Sequence, residues 1–312
     1  MDYVQQWNFG IQREVRSGLL VAASYIGTRG LQLFRAVNIN YRRLVGTSYV
    51  RPYDGFTTIV QSQAGATSDY HSAQVTVQRR FARGASVLAA YTFGKALDDS
   101  TSGVRYFTAS TGDPADLRDS RGPADFDRTH RLVVSFNVEI PTPFGSGSPA
   151  LARALFAGWE LSGVATMQSG TPFSVTNSAS NLDRDGQAGS PGTGGRADRV
   201  DGIPQTTEGS VRSRLDNYLN RAAFSPAPRS RYGTLGRNTV RGPGAHLWDM
   251  RLSKVNSLRE NLRLRFLAEG FNIWNHAAFG NPGSVLDTAA FGTIRTTLSN
   301  ARIVQLGLKL EF

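Results

Sequence analysis

The 312-residue sequence predicts an all-β chain of antiparallel strands, each with one apolar and one polar face, and three observations carry that expectation. Apolar and polar residues alternate with period two along nine segments, the side-chain alternation of a strand buried on one face. Short and long connections take turns between those segments. The longest apolar run, LLVAASYI at residues 19–26, falls far below the ~18 residues a membrane-spanning helix needs. A strand that crosses a membrane is apolar only at alternate positions, so low average hydropathy is compatible with a barrel. Together these features predict an antiparallel transmembrane β-barrel segment, with long extracellular loops and short periplasmic turns.

The last strand shows the pattern best. Over residues 302–312, Val304, Leu306, Leu308, Leu310 and Phe312 share one face, and Ile303, Gln305, Gly307, Lys309 and Glu311 share the other. At ~3.3 Å per residue, about ten residues tilted ~45° rise roughly 24 Å, the height of an outer-membrane apolar band. In chain order the others are residues 3–15 (Tyr3, Trp7, Phe9, Ile11 and Val15 apolar), 19–28, 73–81 (Val75, Val77) and 85–95 (Val87, Ala89, Tyr91, Phe93). They continue with 131–140 (Leu132, Val134, Phe136, Val138, Ile140), 159–168 (Trp159, Leu161, Ala165, Met167), 248–252 (Trp248, Met250, Leu252) and 262–266 (Leu262, Leu264, Phe266).

Short turns are expected at 16–18, 82–84, 141–158 (the longest) and 256–261, and long polar connections at 29–72, 96–130, 170–246 and 276–301. Short turns at one rim and long loops at the other are the layout of bacterial outer-membrane barrels. Nine antiparallel strands leave the first and last pointing the same way, so they do not close an ordinary barrel. An open edge in lipid would expose backbone groups at several kcal/mol each. The expectation is a portion of a larger barrel, or a further strand, for which residues 56–63 (FTTIVQSQ) are the candidate.

Composition excludes several classes. With no cysteine there is no disulfide framework, thiolate metal site or cysteine nucleophile. The net charge of +11 comes from arginines spread along the chain, with only three lysines among 35 cations. No basic run exceeds two or three residues, so no nucleic-acid partner is expected.

Several stretches are similar to the TonB-dependent outer-membrane transporters of the Oar-like type. They are YIGTRG (25–30), YHSAQVTVQRRF (70–81), AYTFGKALDD (90–99), DPADLRDSRGPADFDRTHR (113–131), GWELSGVATMQSGTPF (158–173), YGTLGRNTVRGPGAHLWD (232–249), RLRFLAEGFNIWNHAAFG (263–280) and the terminal strand. The resemblance implies a 22-stranded barrel of which residues 1–312 are a C-terminal portion of about nine or ten strands. It also implies an N-terminal plug and a TonB box, neither of which is in this sequence. The implied function is energised uptake of a bulky, unidentified solute across the cell outer membrane. The implied partners are outer-membrane lipid, the barrel-assembly machinery and, only through the missing N-terminal parts, the TonB complex. Phe312 resembles the terminal aromatic that such machinery reads. A surface β protein for adhesion or interaction without transport is the alternative.

No catalytic constellation emerges, so an enzyme is not expected. There is no G-x-S-x-G or H-E-x-x-H motif, and His71, His130, His246 and His276 are far apart in sequence. No cofactor is expected. Asn181, Asp183 and Asp185 fit the first positions of a calcium loop, but Gly192 stands where a bidentate Glu belongs, so they are a weak metal candidate. Asp113, Asp116, Asp119, Asp125 and Asp127 alternate with Arg118, Arg121 and Arg128, as a self-satisfying ion-pair network or a solute patch would. Leu215, Tyr218, Leu219 and Ala222 lie at helical spacing, predicting a short loop helix over 213–224. The row Gln6, Gln12, Gln74, Gln78, Glu139, Arg251, Arg263 and Glu311 is expected to line the lumen.

Overall fold

The computed structural model describes all residues except 42, 57–58, 82–83, 101–115, 143–148, 178–194, 229–231 and 260. Nine long strands form one antiparallel sheet: β1 (Tyr3–Arg16), β2 (Leu19–Asn38), β3 (Val60–Arg80), β4 (Ser86–Asp98), β5 (His130–Glu139), β6 (Trp159–Gln168), β7 (Ala245–Arg259), β8 (Leu262–Phe271) and β9 (Ile303–Glu311). They lie side by side in chain order from β1 to β9, with the two-residue strand Gly122–Pro123 added to β4. All nine predicted strands are present.

The register shows that the alternation is continuous from strand to strand. Directly opposed residues share a face in an antiparallel pair. Ile11 opposes Ala23, Ala23 opposes Val75, and Val75 opposes Tyr91. The row runs on through Leu132, Met167 and His246. Below it Val134, Ala165 and Trp248 follow one another, and Leu252, Ala268 and Leu306 complete the belt at the other edge. Most intervening positions are polar or small: Gln12 opposes Ala22, Ala22 opposes Thr76, and Gln74 opposes Ser24 and Thr92. One residue of slip in any strand would swap these faces, so the pattern fixes the register.

The turns at one end are tight. Gly18, between β1 and β2, has φ +73°, and a Cβ there would fall 2.7 Å from the Arg80 carbonyl. Glycine alone meets both demands without strain. Residues 141–158 hold a seven-residue helix, α1 (Ala150–Phe156), and Trp159 Nε1 donates to its Leu155 carbonyl at 2.9 Å. No described helix is long and apolar enough to cross a membrane, which says nothing against crossing with strands.

Strand ends differ from the sequence expectation. β2 runs to Asn38 and β3 begins at Val60, so residues 29–38 and 60–72 are a paired extension of the hairpin rather than loop. The candidate extra strand at 56–63 is, from Val60 on, the start of β3, and residues 57–58 lie outside the described residues. The polar sequence VQSQAGATSDY gave no period-two contrast because it stands beyond the apolar belt, where neither face meets hydrocarbon. β7 likewise extends to Arg259, which opposes Leu262 across a much shorter turn than 256–261. The helix expected over 213–224 is absent: two 3-10 turns, Val211–Arg214 and Arg221–Ala223, stand there, each capped by a side chain, Ser210 and Asn220.

Candidate functional site

Among the described residues, the cluster of buried apolar side chains lies in the long connections, outside the sheet. Phe173, Val175, Ala197, Tyr218, Leu219, Phe224, Leu235 and Val240 from the third long loop form one buried cluster with Leu286, Phe291 and Ile294 from the fourth. Phe224 meets Phe291 edge to face, with ring centroids 5.8 Å apart. Backbone bonds stitch the same two loops: Tyr218 N to the Gly292 carbonyl at 2.8 Å, and Leu286 N to that of Thr176 at 2.8 Å. Gly233 lets the chain pass so close that a Cβ would sit 1.9 Å from the Arg196 carbonyl. The spacing of Leu215, Tyr218 and Leu219 that suggested a helix serves this core instead: Tyr218 and Leu219 are buried, while Leu215 packs against the cluster from its edge. Burial raises the Tyr218 phenol above its ordinary pKa, against the pull of nearby Arg214.

A second set of contacts ties this cap to the ends of the strands. Asp119, Asp125 and Asp127 do pair with arginines, but with those of another loop. Arg196, whose side chain is 2% exposed, donates to the Asp119 carbonyl at 3.0 Å and pairs with its carboxylate. Arg237 Nη1 reaches Asp98 Oδ1 at 2.6 Å and the Ser120 carbonyl at 3.2 Å. Arg241 pairs with Asp127, whose other oxygen accepts from Ala96 N at 2.6 Å. Asn238 Nδ2 donates to Asp125 Oδ1 at 2.6 Å. Asp116 caps a 3-10 turn by accepting from Arg118 N.

Within the second loop, Arg121 instead bridges two strand ends, pairing with Asp69 on β3 and with Asp99 just past β4, the latter at 3.0 Å. Desolvation works against the Arg121 charge, yet the hydrogen bonds it donates to Asp99 and Asp69 outweigh it and raise its pKa. Arg128 has no such compensation: burial, with Arg241 nearby, lowers it. These charges satisfy one another across three loops, so the acidic group is a clasp. Asp113 and the calcium candidate Asn181, Asp183 and Asp185 lie outside the described residues. Among the described residues no three His, Asp or Glu side chains gather as metal ligands would.

The histidines, distant in sequence, converge on one rim. Tyr25 and His71 meet at 2.6 Å, Tyr91 and His130 at 2.7 Å, and the His246 and His276 rings stack at 3.5 Å. Burial, then neighbouring His246 and Arg212, hold the His276 imidazole below its ordinary pKa. Phe312, the residue singled out at the C-terminus, follows β9 and is fully exposed.

The polar face reads as the sequence suggested. Gln6, Gln12, Gln74, Gln78, Glu139, Arg251, Arg263 and Glu311 all fall on the side opposite the apolar belt. Across β7 to β9 this face carries a ladder of charges: Arg251 with Glu269 at 3.8 Å, Glu269 with Gln305, and Arg265 with Glu311 at 3.0 Å. Residues 1–305 match the family described as outer membrane beta barrel domain.

The chain belongs to that family.

Its apolar belt therefore faces the lipid of the cell outer membrane, and its polar face the barrel interior. The fold is also similar to a solved structure, the outer membrane transporter YddB from Escherichia coli, with a TM-score of 0.55 and 11% sequence identity. That likeness covers 100% of this chain and 33% of the other, so the chain spans about a third of the length of that transporter. No curated protein matches the chain.

Proposed function

We propose that these residues form part of the wall, and the extracellular cap, of a TonB-dependent transporter of the Oar-like type that takes up a bulky solute with energy from the inner membrane. The observation that carries the reading is the mostly polar inner face of β1 to β9, with a charged ladder across β7 to β9, set behind a lipid-facing belt.

In this reading further strands, about 22 in all, pair with the outer edges of β1 and β9, and a plug occupies the interior. Phe312 serves as the aromatic read by the barrel-assembly machinery. The wall itself performs no catalytic step and holds no cofactor.

The test is deletion of the whole reading frame that contains these residues, followed by uptake of labelled peptides, oligosaccharides and metal chelates in cells with and without an uncoupler. Transport predicts that uptake of one class is lost on deletion and on collapse of the proton gradient. Unchanged uptake together with lost surface attachment would overturn it in favour of an adhesive surface protein.

A further inference from the structure

The lipid-facing belt ends, at the loop-bearing rim, in imidazoles. His71 continues the row of Ala73 and Val75, His130 that of Leu132, and His246 that of Trp248, while His276 stacks on His246. These are all four histidines of the chain. Two of them repeat one device. Tyr25 stands diagonally across from His71, and Tyr91 diagonally across from His130, each hydroxyl within 2.7 Å of Nδ1 and each ring stacked, at 22° and 25°. With the hydroxyl donating to Nδ1, Nε2 carries the ring proton and is the donor left for a ligand.

Between two of these imidazoles lies a groove of about 660 Å³ on the lipid side, lined by Tyr91, His130, Leu132, Met167, Gln168 and His246. Its walls are set by the fold: His130 N donates to Ser169 Oγ at 3.0 Å, and His246 opposes Met167 in the ladder. Leu132 and Met167 give an apolar floor continuous with the belt, and the imidazoles stand at its upper end. Lys95 is exposed on the same face beside His71. Asp69, on that face two residues above His71, is held by Arg29 and Arg121.

We propose that this groove binds a phosphate-bearing lipid of the outer leaflet, its acyl chain along Leu132 and Met167 and its phosphate between His130 and His246. The occupant is a lipid because the groove opens on the face that the barrel turns to hydrocarbon. Its headgroup is a phosphate because paired N–H donors on a basic chain match a multivalent oxyanion acceptor.

Native mass spectrometry of the protein in detergent micelles tests this with two probe pairs: lipid A against its dephosphorylated form, and phosphatidic acid against diacylglycerol of the same chains. The wild type should prefer each phosphorylated lipid by about tenfold or more, as loss of charge-assisted hydrogen bonds would predict. A His130→Gln, His246→Gln double variant should lose that preference, and Lys95→Gln should keep most of it. Equal binding of phosphorylated and dephosphorylated lipid by the wild type would overturn the proposal without recourse to any variant. Retained preference in a folded double variant would overturn it too. Saturation by inorganic phosphate with no gain from acyl chains would assign the site to free phosphate instead.

Discussion

Single residues in this chain carry weight where water and hydrocarbon meet. His276 sits outside the strands, stacked on His246, with its pKa depressed by burial first and by His246 and Arg212 after that. A group whose folded pKa lies below its unfolded value favours the fold in its neutral form. That contribution is present above the ordinary imidazole value of 6.5 and is lost as pH falls below it. Acidification from pH 7.5 to 5 should therefore lower the amide protection factors, that is exchange corrected for its intrinsic pH dependence, around residues 272–278, where Asn272 Nδ2 donates to the His276 carbonyl at 2.9 Å. His276→Gln should abolish that pH response; a response unchanged in this variant would locate its origin elsewhere. Phe312 is fully exposed beyond β9, and the proposed function gives it a role in assembly rather than packing. Its deletion should lower the outer-membrane yield of heat-modifiable protein severalfold while leaving synthesis intact, and an equal yield would contradict the assembly role.

Whole elements show why two of the structure's features escaped the sequence. Period two was readable wherever one face meets lipid, as in β9, because there the two faces must differ. It vanished in the upper halves of β2 and β3, where polar residues such as Gln61 and Gln63 pair with Val37 and Arg35 beyond the belt. Because the chain has no cysteine, a single Gln63→Cys should react with an impermeant maleimide on intact cells, and Val77→Cys should not. Equal reactivity would mean that the hairpin does not project.

The clasp was half legible. The Asp-rich loop was recognisable as an ion-pair network, but its partners Arg196, Arg237 and Arg241 lie at long sequence separation, where spacing carries no signal. Removing one partner of a buried pair costs roughly 3–5 kcal/mol, against roughly 0.2–1 kcal/mol for an exposed pair. Arg237→Ala should accordingly accelerate exchange of the cap amides Ala197 and Leu235 on the order of a hundredfold. Arg199→Ala, which removes a pair with the exposed Asp201, should change it by less than about threefold. The reverse order would show that the apolar cluster alone holds the cap.

At the scale of the molecule, two kinds of order are stacked along the strand axis. In the membrane the sheet is held by its ladder, and the apolar belt is widely exposed at its edge strands: Phe9, Leu306 and Leu308 are each about two-thirds exposed or more. Outside it, the loops build a separate small core around Tyr218, Leu235 and Phe291. The sequence disclosed the first because hydrocarbon imposes a strict alternation, and concealed the second because a core assembled from loops has no period. The loop core also explains how the described parts of a connection as long as 170–246 hold together beyond the strand ends. Which face of the sheet meets lipid decides the architecture. Spin labels placed singly along residues 303–311 in bilayers measure this most directly, through collision with oxygen and with a water-soluble quencher. Oxygen maxima are expected at 304, 306, 308 and 310, in phase with the belt, and quencher maxima between them. Uniform exposure to the aqueous quencher, or the opposite phase, would contradict this orientation.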